Sequence, residues 1–163
     1  MISSIVQKSG ASYQEQMDAE KLISNALHCL ETRLRYQVDT KFNNSHDVCA
    51  YARLQLAQEQ EEVFAALFLN NHHQLLAFEK LFFGTINEST VYPRKVVKKS
   101  LEHNAAKLII AHNHPSGNCT PSEADKEITQ ELKKILKVID VQLVDHIVTS
   151  HEGVYSFAEH GLL

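Results

Sequence analysis

The chain has little with which to cross-link or anchor itself. Its 163 residues include three cysteines, Cys29, Cys49 and Cys119, which form neither a CxxC pair nor an even disulfide framework. A reducing compartment is the easier reading of that usage. No apolar run approaches the length of a membrane span, and the opening MISSIVQKSG lacks the hydrophobic region of a signal peptide. A cytoplasmic location without membrane contact is therefore expected. Positive charge is not in excess, the formal net charge being -4, so any binding to nucleic acid or an anionic membrane has to be local. Internal repeats and low-complexity linkers are absent as well. What remains is 44% hydrophobic content, enough for a real core in a chain of single-domain size.

The chemistry is concentrated in residues 111 to 125, AHNHPSGNCTPSEAD. Side chains alternate faces in an extended segment, so His112 and His114 project the same way and can converge on one point, while Asn113 points elsewhere. Pro115-Ser116-Gly117-Asn118 is a turn sequence that ends the strand. Thr120 and Glu123 fit a capping box with Pro121 at the first helical position, which predicts a helix from about Pro121. Ser122 and Asp125, three apart, then share one face of it. Two neutral imidazoles, a carboxylate and an open position for water are the ligand set of a catalytic zinc site, whereas thiolates usually close a structural one. The expected ligands are His112, His114 and Asp125, holding a single zinc ion per chain. A His-x-His pair alone is commonly plain strand surface; the turn, the capped helix and Asp125 are what favour a metal. Cys119 lies close enough to be a fourth ligand, but a thiolate there would displace the water that hydrolysis needs, and a loop residue is the simpler reading.

The rest of the chain reads as scaffold. Residues 1 to about 14 are small and polar, as in a frayed start. From about Gln16 to Tyr36, Met17, Leu22, Ile23, Ala26, Leu27, Leu30 and Leu34 recur at helical spacing. After a polar break, a second helix is predicted over His46 to Gln58, with Ser45 as N-cap. The continuous apolar run Val63 to Leu69 suits a strand buried on both faces, and Leu75 to Ile86 returns as a second strand after the Asn70-Asn71-His72-His73 turn. His72 and His73 make a poor metal pair, because neighbours on a strand face opposite ways. A helix over Pro93 to His103, the strand Lys107 to Ala111, and the site helix to about Val138 follow. A strand over Gln142 to Ser150, a tight turn at His151-Glu152-Gly153 and a strand over Val154 to Phe157 complete the order. Two helices followed by β-β-α-β-α-β-β make an α/β or α+β domain with a mixed sheet.

His112-x-His114, seven residues, Ser122, two residues, Asp125 resembles the JAMM signature of the MPN/JAB metallo-isopeptidase superfamily. Within it, HNHPSG followed by PSxxD is similar to the RadC family. The resemblance covers roughly Ser45 to Leu163 and implies a three-layer, cytidine deaminase-like JAB/MPN domain, with residues 1–44 as an N-terminal helical extension. It also implies a proton shuttle, because the superfamily places a glutamate at the start of the first core strand and RadC-like chains carry Glu-x-Phe there. Glu62-Val63-Phe64 matches, which makes Glu62 the candidate general base and acid. Glu61, its neighbour, and Glu79, a carboxylate among Phe78, Leu81 and Phe82, are the contenders. For Ser122 the signature implies a hold on the substrate oxyanion or the bound water; ordinary polarity at a helix start is the other reading. Asp145-His146 also matches a RadC-like pair. It can be read as a carboxylate–histidine pair behind the ligands, as part of a substrate groove, or as a satisfied strand histidine, and it is not counted as a ligand.

Zinc would lower the pKa of its water toward about 7 and polarise a carbonyl, so the chain is expected to hydrolyse peptide or isopeptide amide bonds of a polypeptide. Asn113 departs from the Ser or Thr that deubiquitinating members carry between the histidines, and Asn is what the RadC branch carries. The competing class is a DNA-repair-associated nucleic-acid accessory protein, whose best feature is the basic cluster Arg94, Lys95, Lys98 and Lys99. A solvated helix face is the simpler account of it, although Lys95 replaces the Glu of the family's usual Pro-Arg-Glu. Longer RadC proteins carry an N-terminal helix-hairpin-helix DNA-binding module, for which the residues before Ser45 are too few and lack a Gly-containing hairpin. A third class, a JAB scaffold without catalysis, is weakened by the presence of all three ligands. The letters His-Asn-His do not make an HNH nuclease, whose residues are dispersed over a hairpin and a helix.

Overall fold

The computed structural model describes residues 13–36, 42–84 and 91–163. Most of the expected frayed start and of the connection after Asn87 therefore lies outside the described residues. The elements run α1 (Tyr13–Tyr36), α2 (Ser45–Leu56), β1 (Val63–Leu69), β2 (Leu75–Phe83), α3 (Pro93–Glu102), β3 (Lys107–Asn113), α4 (Glu123–Val138), β4 (Gln142–Thr149) and β5 (Val154–Ser156). This is the order expected from the hydrophobic pattern. No helix among the described residues is long and apolar enough to cross a membrane.

The strands form one mixed sheet, ordered β2-β1-β3-β4-β5. Only the β3–β4 pair is parallel, and α4 supplies the crossover that a parallel pair requires. Every residue of β1 is buried because helices cover both faces of the sheet. Val63, Ala65 and Leu67 pack with Val48, Tyr51 and Leu56 of α2, while Phe64, Ala66 and Phe68 pack with Val96 of α3 and Leu132 and Leu136 of α4. The result is a three-layer α/β domain.

Several boundaries differ from the expectations for identifiable reasons. The N-cap of α2 is Asn44, whose Oδ1 accepts from the Asp47 amide at 2.9 Å, because the Ser45 hydroxyl instead donates to Glu159. Helix α4 begins at Glu123, two residues after Pro121, and its capping box is Ser122 with Asp125 in place of Thr120 with Glu123. In α1, Met17 and Leu22 are exposed, and Leu30 packs on the core. On α3, Val96 and Ser100 turn inward and Leu101 is exposed. His72 and His73 lie in the β1–β2 turn, where His73 adopts φ 62° and its Nε2 is 2.8 Å from the Lys107 ammonium.

Candidate metal centre

Strand β3 ends where the chemistry begins. Its antiparallel register with β1 places Phe64 opposite His112, and the same register continued past the strand end sets Glu62 opposite His114. The amide of His114 donates to the Thr149 carbonyl at 2.8 Å, so the residue after β3 is still tied to β4. The turn at Pro115–Asn118 then delivers the chain to α4. The capping box of that helix holds Asp125 in place: the Ser122 amide and hydroxyl each donate to Asp125 Oδ2 at 2.7 Å.

These elements bring the three expected ligands together. His112 Nε2 lies 3.0 Å from His114 Nε2 and 3.3 Å from Asp125 Oδ1, and His114 Nε2 lies 3.7 Å from Asp125 Oδ2. Two nitrogens bound to one tetrahedral zinc at about 2.0–2.1 Å stand about 3.3 Å apart, so the spacing of His112 Nε2 from His114 Nε2 and from Asp125 Oδ1 is of the right size. The His112 and Asp125 side chains are wholly buried, and that of His114 is 16% exposed. Asp125 Oδ1 is buried with no hydrogen-bond partner. A buried carboxylate oxygen left unpaired is costly, and a cation beside two imidazoles removes that cost. Burial works to raise the Asp125 pKa, but His112 and the Ser122 hydroxyl and amide outweigh it and hold the carboxyl well below its ordinary range. The donor set and its geometry fit zinc.

A Glu62 carboxylate oxygen and ring nitrogens of His112 and His114 all lie within 4.8 Å of one another. The two contenders are placed elsewhere. Glu61 is exposed, one residue out of the alternation that brings Glu62 to the histidines. Glu79 is clamped between β2 and α3, with His103 Nε2 at 2.5 Å and Lys99 Nζ at 3.1 Å. Burial opposes ionisation of Glu79, and hydrogen bonds from His103 and Lys99 overcome it, leaving the pKa lowered. Ser122 is placed as the cap that orients Asp125. Cys119 Sγ faces the β4–β5 turn, where a Cβ added at Gly153 would stand 3.6 Å from it.

Asn113 has a role that the spacing did not announce. Buried between the histidines, its Oδ1 accepts from the Val63 amide at 2.8 Å, and its Nδ2 donates to the Glu61 carbonyl at 2.9 Å. It thus fastens the segment carrying Glu62 to the strand carrying the histidines. The only hint in the sequence was that Asn113 faces away from its neighbours.

Behind the ligands, His146 and Thr129 are fully buried. His112 Nδ1 is 2.9 Å from His146 Nε2, and His146 Nδ1 is 2.6 Å from Thr129 Oγ1. Burial, followed by the charge of His112, pushes the His146 pKa well below its ordinary value. Asp145 faces the other way and accepts from the Ser156 hydroxyl at 2.6 Å and the Ala158 amide at 2.9 Å; the adjacent pair therefore divides, the histidine behind His112 and the aspartate on the C-terminal segment. Burial raises the Asp145 pKa against these bonds. Beside His114, a cavity of about 510 Å³ is lined by Arg53, Glu59, Asn113, His114, Thr149 and His151 among others.

Comparison with known proteins agrees with this architecture. The family description "RadC-like JAB domain" matches residues 42–162. The UPF0758 protein YkfG of Escherichia coli strain K12 is 47% identical over 143 residues, which cover 88% of this chain and 90% of that protein. YeeS, a UPF0758 protein of the same strain, is 44% identical over 142 residues, or 87% of this chain and 95% of its own. A UPF0758 protein of Leptothrix cholodnii is 53% identical over 122 residues, 75% of this chain but 55% of its own length. This chain thus spans most of the two shorter relatives and about half of the longer one. None of these names carries an activity. The match over most of the chain, on a three-layer sheet that places HNHPSG and PSxxD side by side, establishes that the chain belongs to the RadC family.

Proposed function

We propose that the chain is a zinc-dependent hydrolase of the JAMM type, cleaving a peptide or isopeptide amide bond in a polypeptide. The observation that carries this reading is Asp125 Oδ1, buried without a hydrogen-bond partner beside His112 Nε2, which itself stands 3.0 Å from His114 Nε2. A zinc ion held there would supply Lewis acidity, acidifying water and polarising the scissile carbonyl. Glu62, close to both histidines, would take the proton from the attacking water and return it to the leaving amine. Asn113 would keep Glu62 in reach, and Ser122 would keep Asp125 turned toward the metal. The cavity beside His114 has the size of a binding cleft, and Arg53 on its rim donates to the His151 carbonyl at 3.0 Å.

The nucleic-acid reading has less support. Lys99 is paired with Glu79 at 3.1 Å and Glu102 at 3.0 Å, Lys98 with Glu102 at 3.6 Å, and Lys95 lies 4.9 Å over the Phe82 ring. Only Arg94 of the cluster lacks such a partner among the described residues.

Metal analysis of the purified protein, followed by a screen of the zinc-loaded form against peptide and isopeptide substrates, tests the proposal. Glu62→Gln should retain zinc and lose about 10²–10⁴ of the hydrolytic rate. Absence of zinc at neutral pH, or full turnover in Glu62→Gln, would overturn the site or its base respectively.

A further inference from the structure

We propose that Thr129 and His146 are positioning residues that set the ring tautomer of His112, so that Nε2 is the nitrogen it offers to a metal. The inference rests on the reading of His112 as a ligand and adds how the protein prepares it.

Thr129 sits one helical turn after Asp125 on α4, and its hydroxyl donates to the Asp125 carbonyl. A hydroxyl has one hydrogen, so toward His146 the same oxygen can only accept. His146 Nδ1, 2.6 Å away, must therefore carry the proton of that ring. A neutral imidazole has one N–H, which leaves His146 Nε2 as an acceptor. His112 Nδ1, at 2.9 Å, must then donate to it, and the Nε2 of His112 is left with a bare lone pair. Among the described residues no other hydrogen-bond partner reaches His146 Nδ1, His146 Nε2 or His112 Nδ1; the one group that favours the other tautomer is Asp125, whose Oδ1 is 3.3 Å from His112 Nε2. Phe157 stacks on His146 with centroids 4.6 Å apart, and Phe64 lies parallel to His112 at 6.4 Å, so the pair is walled by carbon.

His114 reaches the same state separately. Its Nδ1 is 2.8 Å from the Asn118 carbonyl, which can only accept, so its Nε2 is also bare. Two lone pairs 3.0 Å apart repel each other, and Asp125 adds a carboxylate. The hydrogen-bond path begins on the backbone of Asp125 and ends on the nitrogen facing its side chain. Two ligands from different elements are thus locked together before any cation arrives. Ligating histidines commonly donate their second N–H to a carboxylate, a carbonyl or water; here a second buried histidine takes that place and is itself oriented by a threonine.

The test compares Thr129→Val, which has nearly the same shape but no acceptor, with Thr129→Ser, which keeps one. In the metal-free wild-type protein at pH 8, imidazole ¹⁵N spectra should show His146 and His112 both protonated at Nδ1. In Thr129→Val the His146 proton should move to Nε2, forcing the His112 proton onto its own Nε2. Zinc affinity, measured by chelator competition, should fall about 10- to 100-fold, and Thr129→Ser should restore both readouts. Protonation of His146 at Nε2 in the wild type, or a Thr129→Val protein that is folded and binds zinc like the wild type, overturns the inference. Should Thr129→Val not fold, the wild-type spectra and Thr129→Ser still decide. A wild type that binds no zinc would refute the proposed hydrolase, while the spectra would still judge the tautomers.

Discussion

Asn113 shows at the scale of one residue why the His-x-His pattern does not stand alone. Its amide satisfies the Val63 N–H and the Glu61 carbonyl, two backbone groups at the edge of a wholly buried strand. Asn113→Ser is too short to make both bonds, and leaving buried groups unpaired should cost about 1–3 kcal/mol, read as a lower urea midpoint. Turnover should fall at least about tenfold, since small misplacements of a catalytic group are costly, while zinc content stays unchanged. Unchanged turnover would show that Glu62 is held by something else. The convergence of His112, His114 and Asp125 was legible because they lie within fourteen residues on a strand, a turn and a helix. Asn113 was not, because its partners lie some fifty residues earlier in the chain. Thr129 was obscured for the same reason, looking like an ordinary core residue until α4 and β4 are packed together, and the same packing is what selects among the readings open for His146.

Element boundaries were legible where burial dictates them and less so where capping does. Strand β1 could be read directly, since seven consecutive apolar residues fit a strand covered on both sides. The start of α4 could not, because Thr120-x-x-Glu123 and Ser122-x-x-Asp125 are both capping-box patterns, and only the position of Asp125 in space selects the second. The turn between β3 and α4 supports a prediction of its own. Gly117 has φ +102°, and a Cβ there would stand 2.3 Å from His151 Cε1 of the β4–β5 turn. Gly117→Ala should therefore destabilise the protein by about 1–3 kcal/mol and weaken zinc binding through His114. Adding His151→Ala removes the contact but not the backbone strain, so the double variant should recover only part of the loss in thermal unfolding. Complete recovery would mean that the side-chain contact is the whole effect.

Over the whole molecule, the buried histidine makes stability depend on pH. His146 has a folded pKa well below 6.5, for reasons of burial first and the neighbouring His112 second. Below about pH 6.5 the unfolded chain binds the proton that the folded chain refuses, so stability falls as the pH drops through that range. The depressed Asp125 carboxyl acts in the same direction at lower pH, contributing stability above about pH 4 that acid removes. Metal-free protein should accordingly unfold at lower urea at pH 5.5 than at pH 7.5; an equal or higher midpoint at pH 5.5 would mean that folded His146 accepts the proton. The parallel β3–β4 pair and its crossover helix have a consequence for what the fold can lose. His112, His114, Asp125, Thr129 and His146 all come from that one continuous β-α-β stretch, and Glu62 alone is contributed from outside it. On the proposed function, holding a cation and using it would be inherited from separate parts of the chain, so a change confined to the segment before β1 would be expected to remove hydrolysis and leave a metal-dependent binding protein with the sheet undisturbed.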